Sequence, residues 1–333
     1  MAKIYHDGDA DLAVLNGRTI GIIGYGNQGR AQALNMRDSG LGPLVGNPDD
    51  EYKATALSDG FDVRPIAQVA AAADILLLLL PDEVQPAVYS QQIAPHLVPG
   101  KVLCFASGYN IHFRRIVPPG TVDVILVAPR MIGQGVRNMF TRGAGYPCLL
   151  ATHQDASGQA LKTALAIAKA IGATRLGAFE SSFREETLID LLAEQMLWPG
   201  INKLCLLYFE KLVAAGCDPE VVTTELYLSG EFVEIAKSMI TSGFFEQLKL
   251  HSHTSQYGQL SRMERMAPRA VIDAVDLAME EIQSGAFRDE WTAEQEKGLP
   301  TLKRLWEEAR RHPMVLCERR LEELRRTMAG WIA

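Results

Sequence analysis

The chain has 333 residues, of which 22% are charged and 47% hydrophobic, and its formal net charge is −7. The length allows two domains with full cores, and the negative charge argues against a nucleic-acid-binding surface or one that binds anionic membranes. The apolar run at residues 75–80 spans six residues, far short of the roughly 20 that cross a membrane. The five cysteines are scattered and the N-terminus lacks an apolar stretch. We therefore expect reduced thiols, no signal peptide and a cytoplasmic location.

The strongest motif lies in residues 18–30. An apolar run at residues 20–23 leads directly into Gly24-x-Gly26-x-x-Gly29, and residues 31–36 are typical of a helix. In this context Gly24 permits a tight turn, Gly26 lets the backbone approach a pyrophosphate, and Gly29 lets the helix pack on the strand. The helix N-terminus offers unpaired N–H groups to the phosphates. The motif predicts a dinucleotide site, and its predicted contact residues are Gly24, Tyr25, Gly26, Asn27, Gln28 and Gly29.

An acidic loop follows the second predicted strand, residues 41–46. Asn47, Asp49 and Asp50 lie about 20 residues beyond the glycine turn, where such a domain binds the adenosine ribose. A carboxylate there accepts hydrogen bonds from the ribose 2′-OH and repels a 2′-phosphate. The loop therefore predicts NADH in preference to NADPH. Two alternatives remain, an inward-turned Lys53 and an acidic surface loop that binds no cofactor.

The rest of the chain predicts two domains of different class. Up to residue 182, helices and strands alternate, which predicts an α/β Rossmann domain over residues 1–182. From residue 183 only helical periodicity remains, which predicts an all-α domain over residues 183–333. The predicted helices of the first domain are residues 51–59, 63–73 and 157–171, and its further strands are residues 74–81, 102–106, 122–127 and 148–152. The charged tail from residue 302, an amphipathic pair broken at His312-Pro313, predicts solvated helix surface.

Side chains at strand ends are the candidates for chemistry in such a sheet. Pro81 and Asp82 follow one predicted strand and are expected near the cofactor. Ser107 and Arg130 follow the next two strands and are the candidate catalytic residues.

Two carboxylates in the helical half suggest a metal. Asp190 and Glu194 are four residues apart, so they share one helix face, and their neighbours are apolar. Adjacent carboxylates on a buried helix repel each other unless a cation lies between them, and Mg²⁺ prefers oxygen ligands. The alternative is a charged stripe that faces solvent.

Two further segments carry residues of metal-ligand type. Glu225 and Glu231 lie in a second acidic helix. His251 and His253 are two residues apart, a spacing compatible with a metal pair but also common in loops.

With these residues in view, the chain resembles the short, class I type of ketol-acid reductoisomerase from end to end. The matching motifs include Gly24-Tyr25-Gly26-x-Gln28-Gly29, Pro81-Asp82-Glu83, Ile111-His112, Phe183-x-Glu185-Glu186-Thr187, Asp190-Leu191 with Glu194-Gln195, and Trp331-Ile332-Ala333.

The resemblance implies a knotted helical domain and two Mg²⁺ ions, held by two carboxylates of one helix and two glutamates that a partner subunit supplies. Asp190 and Glu194 match the first pair, and Glu225 and Glu231 are the candidates for the second. Ser252 matches a serine expected to contact the substrate carboxylate. The implied assembly is a homodimer with shared active sites. The implied reaction is alkyl migration in a 2-hydroxy-2-alkyl-3-keto acid, followed by reduction with NAD(P)H.

The chain departs from the family pattern in three respects. Ser107 replaces a histidine, so a hydroxyl that does not titrate near neutrality stands where the family has an imidazole. Arg130 replaces a lysine, a planar cation in place of a compact one. Glu225 and Glu231 are six residues apart where the family has four, which on a straight helix puts them on different faces, unless a bulge or break at Ser229-Gly230 brings them together.

Three hypotheses follow. In the first, the enzyme performs both steps on a ketol acid, with Ser107, Arg130, Glu194 and Ser252 as catalytic residues and one or two Mg²⁺ ions. In the second, a diverged member performs only the reductase or the isomerase half on another small keto acid. In the third, the chain is a non-catalytic nucleotide-binding protein, which would not need the Asp190 and Glu194 pair.

Overall fold

The structure, a computed structural model, describes residues 2–332, with side chains up to residue 330; Ala333 of the terminal motif lies outside the described residues. The chain forms two compact units, one ending at Asp190 and the other beginning at Leu191.

The first unit is built on one nine-stranded sheet with the order β1-β9-β8-β7-β6-β5-β2-β3-β4. Its strands are β1 Ile4–Tyr5, β2 Ile20–Ile23, β3 Leu44–Gly46, β4 Val63–Arg64, β5 Ile75–Leu78, β6 Val102–Phe105, β7 Asp123–Pro129, β8 Pro147–Gln154 and β9 Gly177–Glu180. The six strands from β2 to β7 are mutually parallel, whereas β8 runs antiparallel to β7 and β1 antiparallel to β9. The strand order reverses between β2 and β5, which is where a doubly wound sheet binds a dinucleotide.

Helices cover both faces of this sheet. They are α1 Asn27–Asp38, α2 Glu51–Ser58, α3 Ile66–Ala72, α4 Gln85–Val88, α5 Tyr109–His112, α6 Gly133–Thr141, α7 Ala160–Ile171 and α8 Phe183–Leu192. The central strands β2, β5 and β6 are buried along their whole length. That burial on both faces explains their uninterrupted apolar sequence and confirms the predicted α/β Rossmann domain.

Two local predictions for this unit are wrong. Residues 63–73 were predicted as one helix, but Val63 and Arg64 form edge strand β4, and Pro65 precedes α3 because proline disfavours helical geometry in the residue before it. Residues 148–152 were predicted as the last strand, but β9 follows. Strand β9 has only four residues, one of them Gly177, which is too short a segment to show a clear strand periodicity. It is stabilised by pairing with β8 and with β1 near the N-terminus.

The second unit is all-helical within the described residues, which confirms the predicted class. Its helices are α9 Trp198–Ala214, α10 Pro219–Thr223, α11 Glu231–Ser242, α12 His253–Arg262, α13 Arg269–Ser284, α14 Ala286–Glu296, α15 Pro300–Arg310, α16 Pro313–Arg320 and α17 Glu322–Ile332. The tail therefore contains three helices where a pair was predicted, since α16 ends at Arg320 and α17 begins at Glu322. Phe209, Val222, Met314 and Cys317 form a small core in this unit.

The predicted boundary at residue 182 and the end of the first compact unit at Asp190 differ by the length of most of α8. The start of α8 packs with the first unit because the Phe183 ring contacts Phe105 and His153. The domain assignment itself remains a prediction.

Candidate active site

The glycine turn at the end of β2 has the geometry that its motif requires. Gly24 has φ +95°, which an L side chain rarely adopts. A Cβ on Gly29 would lie 1.9 Å from the Gly24 carbonyl oxygen, so α1 can pack here only with glycine. A Cβ on Gly26 would meet nothing within 4 Å. The backbone at Gly26 therefore borders open space at the N-terminus of α1, where a pyrophosphate can approach.

The side chains of the turn serve the fold. Asn27 Oδ1 accepts a hydrogen bond from the Gly133 amide at 2.5 Å, and Gln28 Nε2 donates to the Met131 carbonyl at 2.8 Å. Tyr25 is 1% exposed and its hydroxyl donates to Asp59. The side chains of Tyr25, Asn27 and Gln28 are thus hydrogen-bonded within the protein, whereas the Gly26 backbone borders open space.

The acidic loop after β3 separates the roles of its two aspartates. Asp50 caps α2, where its Oδ1 accepts from the amides of Tyr52 and Lys53 and from Asn47 Nδ2 at 2.7 Å. Asn47 Oδ1 in turn accepts from the Tyr25 amide, so Asn47 is fully engaged. The Asp49 side chain is 92% exposed and pairs with Lys53 Nζ at 3.1 Å. Asp50 is therefore engaged in the cap through Oδ1, whereas the Asp49 carboxylate extends into solvent beside Lys53.

A small cavity of about 250 Å³ opens beside this loop. Asn47, Asp49, Lys53 and Arg64 line it, and both cations are already paired, Lys53 with Asp49 and Arg64 with Asp62. At the predicted ribose end of the site, each cation that lines the cavity is therefore already in an ion pair with a carboxylate.

A polar cluster follows β5 and β6 at the carboxyl edge of the sheet. The Ser107 hydroxyl donates to Asp82 Oδ2 at 3.0 Å and accepts from the Tyr109 amide. Asn110 Nδ2 donates to the Asp82 carbonyl, and the carbonyl of Pro81 accepts from the Val84 and Gln85 amides. The predicted residues Ser107 and Asp82 are therefore in direct contact.

Arg130, at the end of β7, joins two carboxylates of α8. Its Nη1 donates to Glu186 Oε1 at 2.9 Å and its Nη2 to Asp190 Oδ1 at 2.7 Å. Hydrogen bonds to these two carboxylates raise the pKa of Arg130 against the opposing effect of burial. The Arg130 guanidinium contacts both carboxylates because its two Nη groups point in different directions. A lysine would have to make both contacts from its one ammonium nitrogen, with less fixed geometry.

Glu186 is the most deeply buried of these acids, with 2% exposure. Burial raises its pKa to about 7, although the Gly108 amide, which donates to Oε2 at 2.6 Å, and Arg130 both pull the pKa down. Gly108 follows Ser107 and is tightly packed, since a Cβ there would lie 2.3 Å from the Phe183 carbonyl oxygen. Glycine at this position lets α8 approach β6 closely enough to place Glu186.

The sequence prediction named Glu186 only as part of a motif and gave it no role. A signal was present, because Glu186, Asp190 and Glu194 follow one another at intervals of four residues and so share a helix face. In the single chain the Asp190 side chain is 41% exposed and Glu194 is exposed, so of the two alternatives for this pair the exposed one holds and the buried one does not. Burial along the shared face is confined to Glu186, which packs against Gly108.

The remaining predicted residues belong to the second unit. Glu194 lies in a π-helical turn, Ala193–Leu197, that continues from α8. Glu225 lies in another π-helical turn, Thr224–Leu228, and Glu231 begins α11 after Gly230, whose φ is +81°. The helix is thus broken at Ser229-Gly230, as one of the two alternatives predicted.

Ser252 caps α12, with its hydroxyl accepting from the Ser255 amide. His253 is the first residue of α12, and His251 precedes Ser252. No three histidine, cysteine, aspartate or glutamate side chains within residues 2–330 converge as a metal cluster.

Family models match nearly the whole chain. Residues 14–177 match the model described as the NADPH-binding domain of acetohydroxy acid isomeroreductase, and residues 183–327 match the C-terminal domain of ketol-acid reductoisomerase. The chain belongs to the ketol-acid reductoisomerase family. The match confirms the resemblance inferred from the motifs, and with it the prediction of an NAD(P)-dependent enzyme of the reductoisomerase class.

Curated relatives agree over nearly their full length. A ketol-acid reductoisomerase (NADP(+)) of Pyrobaculum calidifontis is 45% identical over 94% of this chain and 96% of its own. The enzyme of the same name from Pyrobaculum aerophilum is 44% identical over 99% of this chain and 100% of its own. A putative ketol-acid reductoisomerase 3 of Saccharolobus solfataricus is 45% identical over 96% of this chain and 97% of its own.

Among solved structures, an NADH-preferring ketol-acid reductoisomerase from an uncultured archean superposes with a TM-score of 0.92 at 37% identity, covering 97% of this chain and 99% of that one. A semialdehyde dehydrogenase NAD-binding protein from Cupriavidus necator, at 16% identity and a TM-score of 0.62, shares the fold alone. The ketol-acid reductoisomerase match therefore rests on both sequence and structure. It favours the two-step reaction over the half reaction or a binding protein.

Proposed function

We propose that the protein converts a 2-hydroxy-2-alkyl-3-keto acid into a 2,3-dihydroxy acid, by alkyl migration and then reduction with NAD(P)H. The observation that carries this proposal is the Glu186–Arg130–Asp190 cluster at the carboxyl edge of the sheet. The cluster combines a fixed cation, Arg130, with the half-exposed carboxylate of Asp190. It lies at the same carboxyl edge of the parallel strands as the glycine turn.

In the migration step, the alkyl group leaves C2 with its bonding electrons and attaches to C3. The C2 hydroxyl loses its proton and becomes a ketone, while the C3 ketone oxygen takes up a proton. In the reduction step, hydride from NAD(P)H adds to C2 and a proton adds to the new alkoxide. Both steps build negative charge on oxygen, so a fixed cation and a proton carrier are the groups they require.

Arg130 supplies a fixed positive charge here. Its guanidinium is held between Glu186 and Asp190 at 2.9 Å and 2.7 Å, so it is oriented before substrate arrives. Prior orientation is what makes such charge effective on a developing oxyanion. With its pKa raised, Arg130 remains a cation and does not itself transfer protons.

Ser107 and Asp82 form the second functional pair. The hydroxyl donates to the carboxylate at 3.0 Å, so a proton given up by the substrate to the serine oxygen has an acceptor in place. We propose that this pair takes the position that a histidine has in the family pattern. Glu186, whose pKa burial raises to about 7, is the nearby group that titrates at neutral pH.

Asp190 and Glu194, with Glu225 and Glu231 of a partner subunit, are the proposed Mg²⁺ ligands. The fit rests on chemistry, because within the described residues Asp190 Oδ2 has no hydrogen bond and its side chain is 41% exposed, so an oxygen ligand is open. When bound, the ion would polarise the substrate oxygens as a Lewis acid. We propose that Ser252 contacts the substrate carboxylate.

NADH is the proposed preferred reductant. Both cations that line the cavity beside the acidic loop, Lys53 and Arg64, are paired with carboxylates, so neither is free to receive a 2′-phosphate. The solved NADH-preferring relative is consistent with this preference. NADPH is the second candidate, because curated relatives carry NADP(+) in their names and exposed ion pairs exchange partners at little cost.

A homodimer with shared sites is the proposed assembly. The second unit exposes many large apolar side chains, including Phe232, Ile240, Phe244, Phe245, Leu250 and Tyr257. Apolar surface on that scale is typical of an interface. The proposed location is the cytoplasm, consistent with five free cysteines. No helix of the described residues is both long enough and apolar enough to cross a bilayer.

The test is an assay with Mg²⁺ that follows oxidation of NADH and of NADPH, offering 2-acetolactate in one arm and 3-hydroxy-3-methyl-2-ketobutyrate in the other, with products identified by mass. We expect turnover of both acids to the same dihydroxy acid. Turnover of the keto acid alone would mean that the migration step is absent, and turnover of neither would refute the proposal. A higher kcat/KM with NADPH than with NADH would reject the NADH preference while leaving the reaction intact.

A further inference from the structure

A second cavity of about 630 Å³ lies in the first unit. Its polar wall contains His112, Arg114, His153 and Arg184, and its apolar floor includes Ile116 and Phe183. We call it the Arg114–Arg184 cavity. None of its lining residues belongs to the glycine turn, the acidic loop or the Ser107 and Arg130 clusters.

The place of this cavity in the sheet sets it apart from the dinucleotide site. Part of its wall is Thr152, His153 and Gln154 at the end of β8, and because β8 is antiparallel, Gln154 pairs with Val124 at the amino end of β7. The glycine turn lies at the carboxyl ends of the parallel strands. This part of the wall therefore lies away from the glycine turn, whereas Ile111, His112 and Phe183 line the cavity from the segments that follow β6 and β9.

The charged side chains that line the Arg114–Arg184 cavity are all basic. No aspartate or glutamate lines it, and neither arginine side chain has a hydrogen bond or ion pair among the described residues. Other arginines of this unit are paired, as Arg30 is with Asp59 and Arg137 with Asp38. Two unpaired guanidinium groups at one cavity, in a chain of net charge −7, form a local positive site.

The backbone holds Arg114 in an uncommon conformation. Its φ is +53°, and it shares a positive φ with only one other non-glycine residue of the described chain. Glycine would adopt this conformation at lower cost. The turn is fixed by the amides of Arg115 and Ile116, which both donate to the Asn110 carbonyl.

The two histidines add a response to pH. Burial and the charge of Arg184 lower the pKa of His112, and burial and the charge of Arg114 lower that of His153. The His112 ring packs against Phe113 and the His153 ring against Phe183. An anion bound to the arginines would offset the part of each pKa shift that comes from the arginine charge, so binding would be accompanied by proton uptake.

We propose that the Arg114–Arg184 cavity binds a small organic phosphate, with the phosphate on the two arginines and an apolar portion on the Ile116 and Phe183 floor. Guanidinium groups bind phosphate oxygens in a bidentate manner, and the volume suits a small metabolite. The site is distinct from that of the reductoisomerase reaction and does not depend on it.

The test uses calorimetric titration of the full-length protein with phenyl phosphate and, separately, with inorganic phosphate, in the presence of saturating NADPH. We expect one phenyl phosphate per chain, bound about ten-fold more tightly than inorganic phosphate because the ring meets the apolar floor. Arg114→Ala and Arg184→Ala should each weaken binding about ten-fold or more. Arg311→Ala, which removes an exposed arginine of the second unit, should leave it unchanged.

A second arm measures affinity for phenyl sulfate between about pH 7.5 and pH 5.5, the range in which histidine titrates. The charge of phenyl sulfate is constant over this range, so any change in affinity comes from the protein. Affinity should rise as pH falls in the unaltered protein and stay flat in the variant with His112→Gln and His153→Gln. Unchanged melting temperature and NADPH affinity would show that the variants fold. Absence of phenyl phosphate binding, or binding insensitive to both arginine variants, would overturn the proposal. Failure of both NADH and NADPH to bind would count against the proposed reaction, while the arginine dependence would still test the cavity.

Discussion

The two units present their candidate residues in different states. In the first unit, Ser107, Arg130 and Glu186 are held by hydrogen bonds to neighbouring strands and helices of the same unit. In the second unit, Glu225 and Glu231 are exposed and make no hydrogen bond through their carboxylates in the described structure. The difference is consistent with the proposal that Ser107, Arg130 and Glu186 are organised within one chain, whereas Glu225 and Glu231 are organised by a ligand or a second chain.

The largest loss of activity is expected from Gly108→Ala, which alters the packing around Glu186 in the first unit. The new Cβ would lie 2.3 Å from the Phe183 carbonyl oxygen and 2.6 Å from Thr187 Oγ1, so α8 must move away from β6 and carry Glu186 with it. A displacement of this order costs about 100-fold in kcat/KM or more. Gly120→Ala is the control, since a Cβ there meets nothing within 4 Å. Equal activity of both variants would mean that the α8 contact is not needed for catalysis.

The next prediction tests whether Glu225 and Glu231 are supplied to the site by another chain. Asp190→Asn and Glu231→Gln should each reduce kcat/KM by about 100-fold or more, because each removes a proposed Mg²⁺ ligand. Mixed and reassembled, the two inactive variants should recover about a quarter of the normal activity. Half of the dimers are then mixed, and each mixed dimer has one intact site of two. Asp273→Asn, which removes only a surface ion pair with Arg269, is the matched control.

Recovery well below that fraction, with mixed dimers shown to have formed, would mean that each site lies within one chain. The comparison between the two units would then need another explanation.

A smaller effect concerns the buried acid. The pKa of Glu186 is raised to about 7 from the ordinary 4.5, so between these values the folded chain holds a proton that the unfolded chain has released. Stability should therefore fall as pH rises through this window, by up to about 3 kcal/mol, with the full contribution present below pH 4.5 and lost above 7. Urea denaturation of the first unit across this range should show a flatter dependence for Glu186→Gln. Glu185→Gln, on the exposed side of the same helix turn, should behave like the unaltered protein.

The smallest effect concerns cofactor choice. Lys53→Ala removes the partner of Asp49 and should lower kcat/KM for NADPH relative to NADH by about three-fold, since an exposed ion pair contributes below about 1 kcal/mol. Steady-state kinetics with both reductants measure the ratio, and Lys297→Ala serves as the charge control. An increase in the relative use of NADPH would show that Asp49 does not discriminate.

The sequence predicted those parts of the molecule that depend on local pattern. The glycine turn, the buried strands and the side chains at strand ends follow from the order of residues within short segments, because parallel strands bring their carboxyl ends to one edge. Ser107, Asp82 and Arg130 were located in this way. The chemistry of each residue could be anticipated from its type, but its partners could not.

What the sequence could not supply depends on contacts between distant segments. Glu186 is buried only because α8 packs against Gly108, which is 78 residues earlier in the chain. Strand β9 forms because it pairs with β8 and with residues at the N-terminus. Asp50 differs from Asp49 because it caps α2, and that distinction requires the start of the helix to be known.

The break at Gly230 affects how the two ends of this helical stretch are related. Within a continuous helix, two added residues rotate everything beyond them by about 200°. Here α11 begins anew after Gly230, whose backbone is left-handed. The six-residue interval between Glu225 and Glu231 spans this break, so the number of residues between them does not by itself determine how the two side chains are oriented relative to each other.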